Sequence, residues 1–67
     1  MTFIEFYALA FNPRLSVIAF TYITEEPHKY SGWISRPMDC KKLVEGLRFS
    51  ANGHEYRRSG LTIQKIN

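Results

Sequence analysis

Cys40, His28 and His54 are the soft metal ligands of this 67-residue chain, methionines aside. No Cys-x-x-Cys or His-x-x-x-His spacing joins them, so neither a structural metal nor a cofactor is expected. Asp39-Cys40 stands where a helix would begin, and a helix dipole there would activate the thiol. Cys40 also opens an apolar stripe, and free cysteine in such a stripe packs as a small buried hydrophobe. His54-Glu55-x-Arg57-Arg58 holds the residue types of a ribonuclease: a base for the 2′-hydroxyl, an acid for the leaving oxygen and cations for the phosphorane. On a strand, however, His54 and Glu55 point to opposite faces while Glu55 and Arg57 share one. That geometry suits a cross-strand charge pair, so the chain reads as a non-enzyme and an endoribonuclease-type toxin is the least favoured reading. Gly32, Gly46, Gly53 and Gly60 are isolated, and no phosphate-binding loop is present.

These residues must be carried by one small domain spanning 1–67, since the length allows no more. Residues 2–11 and 15–24 are dense in β-branched and aromatic types, with Asn12-Pro13-Arg14 between them, and read as a long-armed β-hairpin. Residues 25–29 read as an exposed, charged loop, and the alternation from Tyr30 to Ser35 as a third strand. Cys40, Leu43, Val44, Leu47 and Ala51 follow the spacing of one helical face, with Asn52-Gly53 to end the helix. A competing reading makes Leu47–Ala51 and His54–Arg58 a hairpin around Asn52-Gly53, because Gly46 costs a helix about 1 kcal/mol relative to alanine. We favour the helix. Leu61–Ile66 closes the chain as a strand. The expected fold is α+β: a small antiparallel sheet in β-β-β-α-β order with one helix packed on one face.

One helix covers one face of a sheet. Ile4, Phe6, Ala8, Ala10, Ile18, Phe20 and Tyr22 should lie beneath it, against Leu43, Val44 and Leu47. The other face would then hold Phe3, Glu5, Tyr7, Leu9 and Phe11 beside Val17, Ala19, Thr21 and Ile23, too apolar a set to meet water alone. Such a patch marks a docking surface or a homodimer interface, unless Phe49, Tyr56 and Ile66 fold back over it. Tyr and Trp dominate protein–protein hot spots, and the partner-contact residues expected are Tyr7, Phe11, Tyr22, Tyr30 and Trp33, with Arg57 and Arg58.

Charge is unevenly spread. Residues 1–35 carry two cations and three anions, whereas residues 36–67 carry seven cations and three anions. This basic half could meet phosphates. Eight of the ten aromatics lie in the other half, so the interleaving typical of a base-stacking surface is weak. The single cysteine excludes a disulfide framework and suits a reducing compartment. The N-terminus lacks a basic n-region, and the apolar run ends at Asn12-Pro13-Arg14, so neither a signal peptide nor a membrane span is expected and the protein reads as cytoplasmic. These features point to a small interaction protein that occupies and inhibits a host protein or nucleic-acid-handling complex, as phage and mobile-element accessory proteins do. A small nucleic-acid-binding domain using the basic C-terminal half is the alternative.

Overall fold

A computed structural model describes residues 1–25 and 28–67. The chain begins with helix α1, Phe3–Ala10, and continues with strands β1, Ile18–Glu25, and β2, His28–Ile34. A 3₁₀ helix, Pro37–Lys42, leads to β3, Arg48–Ala51, β4, His54–Ser59, and β5, Thr62–Lys65. The five strands form one antiparallel sheet in the order β2-β1-β3-β4-β5. An antiparallel sheet with helices on one face is the α+β architecture expected, but the element order is not.

The first correction is at residues 2–11, expected as a strand and folded as α1. Thr2 and Glu5 form a capping box: the Glu5 N–H donates to Thr2 Oγ1 at 3.1 Å and the Thr2 N–H to Glu5 Oε1 at 2.8 Å. The box satisfies two end donors that a helix otherwise leaves free. Phe3, Phe6 and Ala10 then repeat at helical spacing and are the buried residues of α1. These local signals outweigh the strand preference of the aromatic types. Pro13 biases Asn12 away from helical geometry, and a turn with Ser16 at positive φ leads into β1.

The second correction is at residues 40–51. The expected helix is a six-residue 3₁₀ segment ending at Lys42, and the competing hairpin is what forms. Gly46 sits at φ +79°, which no helix admits. Asn52 and Gly53 both take positive φ, the type I′ signature that matches the twist of β3 and β4. Cys40 and Leu43 are buried as the stripe requires, whereas Val44 is exposed. The loop expected at 25–29 is narrower, because Glu25 still belongs to β1 and His28 already to β2; its centre, 26–27, lies outside the described residues.

The core lies on one side of the sheet, under α1 and the 3₁₀ helix. Phe6 is fully buried and meets Phe49 and Tyr56 edge-on, at 5.7 Å and 5.0 Å between ring centres. Ile18, Ile34, Cys40, Ala51 and Ile63 complete the layer. Ile4 and Ala8, expected in the core, are exposed because helical spacing turns them outward. Arg58 ties the layer's rim. Its Nη1 donates to the Leu43 carbonyl at 2.7 Å and its Nε to the Gly60 carbonyl at 3.0 Å, and the guanidinium lies over the Phe3 ring. Glu45 accepts from the Gly60 N–H at 2.8 Å. No helix is long and apolar enough to cross a membrane among the described residues.

Candidate functional site

The strand register sorts the sheet's side chains into two faces, since alternate residues point to opposite sides. Ile18, Phe20 and Tyr22 of β1 share the helix side with Phe49, Ala51 and Tyr56. On the other side Ala19 is paired with Trp33, Thr21 with Ser31 and Ser50, Ser50 with Glu55, and Arg48 with Arg57. No other element lies over this second face among the described residues. The face is therefore not the apolar surface expected, because Phe3, Glu5, Tyr7, Leu9 and Phe11 belong to α1 and its C-cap and never enter the sheet.

Trp33 apart, the side chains described on the open face are small, polar or basic. Two shallow hollows share Thr21 and Ser50, and their floor is built from Ala19, Ser31 and those two residues. Trp33, paired with Ala19 on the β2 edge and 72% exposed, lines neither hollow; it borders a third on the helix side, with Phe20, Tyr22, Ile34 and Leu43. Lys29, Arg48 and Arg57 stand toward one end, exposed, with Glu55 among them. Arg48 Nη2 reaches Glu55 Oε2 at 3.0 Å. Arg57 is the cross-strand neighbour of Arg48 and makes no ion pair among the described residues. Two cations directly opposite on neighbouring strands repel. Among the described side chains, one glutamate stands against three cations on this face, and it is engaged by Arg48.

A second exposed feature is apolar. Ile4, Met38 and Leu61 are 69%, 55% and 68% exposed and line one shallow hollow with Lys41 at its edge. It lies on the helix side of the molecule, away from the open face.

The seven contact residues expected from the sequence fall in four places. Trp33 and Arg57 are on the open face. Tyr22 and Tyr30 are on the helix side, stacked at 5.6 Å at the end of the β1–β2 hairpin. Tyr7 donates its hydroxyl to the Ser35 carbonyl at 2.7 Å, and half-buried Phe11 packs against it. Arg58 points inward and is committed to the rim contacts above. Lys29, Arg48 and Ser50 are not among those expected residues, although the alternation of Arg48 and Ser50 with Phe49 and Ala51 along β3 is the signal that sets the two on one face.

The residues of the ribonuclease reading do not converge. Glu55 and Arg57 face the open side, whereas His54 and Arg58 face the other, and the Glu55 carboxylate is engaged by Arg48. Cys40 is fully buried, and its thiol is pushed up to about 11 by burial and then by the neighbouring Asp39 carboxylate. Such a thiol is protonated and shielded. A scan against protein-family models finds no match, and no curated protein and no solved structure matches the chain at a significant level.

Proposed function

We propose that this protein binds without catalysing, and that it takes single-stranded nucleic acid on the open face of the sheet. The observation that carries this reading is the Arg48–Arg57 pair, two cations set opposite one another on an uncovered surface, with exposed Trp33 at the β2 edge beside it. Phosphates relieve the repulsion between the guanidinium groups, and the indole offers a stacking surface that any base can use. Thr21, Ser31 and Ser50 leave room between them and supply hydroxyls for sugar and phosphate oxygens.

Trp33 is the single tryptophan, so its fluorescence reports directly on the face. Titration with a short single-stranded oligonucleotide should quench it saturably at low salt. Log K should fall with log salt at a slope of about −0.7 for each phosphate neutralised, hence about −2 for three cations. Arg57→Ala should weaken binding and flatten that slope by about 0.7. An affinity indifferent to salt, or to Arg57→Ala, would overturn the reading.

The Ile4–Met38–Leu61 patch favours a second reading, the inhibitory protein contact expected from the sequence. Apolar side chains so exposed and contiguous suit a protein partner better than a phosphate backbone. A partner bound there stays bound after nuclease treatment and is released by Ile4→Glu. Loss on nuclease treatment alone returns the weight to the open face.

A further inference from the structure

We propose that β2 pairs antiparallel with β2 of a second copy of this chain, about a two-fold axis through Ser31, joining two sheets into one of ten strands. This goes beyond the ligand reading above and does not depend on it.

The two edges of the sheet are treated differently. The β5 edge is covered: the Met1 amino group donates to the Ile63 carbonyl at 2.9 Å, the Ile63 N–H to the Met1 carbonyl at 2.8 Å, and Thr2 bridges Thr62. The β2 edge has no backbone partner among the described residues, yet it is a seven-residue strand without proline. Open edges of that length are templates for another strand, and proteins that stay monomeric blunt them with prolines, bulges, inward charges or lysines; β2 carries one such residue, Lys29, which the pairing below accommodates.

The sequence of β2 is complementary to itself. The antiparallel register that pairs all seven residues, His28–Ile34, is centred on Ser31. It sets Lys29 opposite Trp33 of the second copy, where an ammonium lies against an indole face, a favourable arrangement. Tyr30 meets Gly32 of the second copy, so two bulky rings never collide. Ser31 meets its own equivalent, and no two like charges stand opposite. Each hydrogen-bonded pair exchanges two backbone bonds, giving about six to eight across the seam. Because the axis stands perpendicular to the sheet, both helices fall on one side and both open faces on the other. The two basic surfaces then form one continuous face.

The test needs no nucleic acid, so its outcome is separate from that of the ligand titration. Sedimentation equilibrium of the full chain should give twice the chain mass, falling toward one on dilution. Ser31→Lys places two ammonium groups across the axis and should return the mass to that of one chain, with the folded circular-dichroism spectrum retained. Ser31→Cys should yield a disulfide-linked dimer on mild oxidation, because directly opposed residues stand about 4.5–5.5 Å apart at Cα, within disulfide reach. Gln64→Cys, on the same face but at the far side of the sheet, should not. Cys40 is fully buried and does not confuse the assay. A single-chain mass up to about 1 mM, the limit of a weak complex, would overturn the proposal. So would a dimer that survives Ser31→Lys, or equal cross-linking through Gln64→Cys.

Discussion

Arg57 and Arg58 are neighbours on β4, and their replacement by alanine should have unlike consequences. Arg58 makes two charge-assisted hydrogen bonds to backbone carbonyls, at 2.7 Å and 3.0 Å, with a side chain only 16% exposed. Bonds of this kind are each worth about 1.5–3 kcal/mol. Its contact with the Phe3 ring adds about 0.5–1 kcal/mol. The pair with Glu45, at 3.9 Å and largely in water, adds almost nothing. Since these groups share one guanidinium the contributions do not add fully, and Arg58→Ala should cost about 3 kcal/mol. A chain of this length has about 3–10 kcal/mol in total, so the variant is left near its unfolding threshold. In a urea melt followed by circular dichroism the midpoint should fall steeply at unchanged slope, with the thermal midpoint lower by about 12–24 °C. Arg57→Ala should stay within about 0.5 kcal/mol of the parent, as exposed substitutions do. A loss below about 1 kcal/mol for Arg58→Ala, or equal losses for the two, would refute the division of labour between the faces.

Tyr56 buries its ring completely, and its hydroxyl has no hydrogen-bond partner among the described residues. Tyr56→Phe should therefore leave stability unchanged or raise it by up to ~1 kcal/mol, and a comparable loss in a urea melt would show that the hydroxyl is satisfied after all. Thr2→Ala removes the N-cap and should cost about 1 kcal/mol by the same measurement. The Thr2 backbone and hydroxyl hold the Glu5 carboxyl below its ordinary value of 4.5. Its contribution to stability is thus present above that value and lost as pH falls through the lowered one, and Glu5→Gln should flatten the acid limb of a stability–pH curve. Burial raises Cys40, so the unfolded thiol ionises first and stability should decline from about pH 9 to 11; a Cys40→Ala variant that keeps the same alkaline slope would contradict this.

The sheet's outer strands were readable in the sequence because they depend on neighbours in the chain. The alternation of Tyr30 to Ser35 carries its own geometry, whereas Asn52-Gly53 suits both a helix end and a hairpin turn, and the favoured helix is not what forms. The N-terminal segment was not, since aromatic density says strand while the Thr2-x-x-Glu5 box says helix, and only the burial of Phe6 between Phe49 and Tyr56 decides. That one reversal moved Phe3, Tyr7 and Phe11 out of the sheet and changed the character of its open face. Trp33 and Arg57 were picked out as contact residues, but their shared face depends on β1 lying between β2 and β3, a pairing across more than twenty-five residues. Arg58 looked like its neighbour because composition cannot tell which of two adjacent arginines points inward.

The order in which the chain is synthesised bears on how the covered edge and the helix form. Helix α1 is made before the strands it packs on, since Phe6 rests on residues 49 and 56 and the Met1 backbone pairs with residue 63. An eight-residue helix has little stability alone in water, so its apolar stripe has nothing to pack on until residues 49–63 are made. The β3–β4–β5 meander closes through short local turns, and the N-terminal segment docks on it across the largest sequence separations in the molecule. Loop closure over such distances is slow. Phe3 and Phe6 therefore lack their packing partners until residues 49, 56 and 63 have been made, and the docking of α1 is a late step of folding.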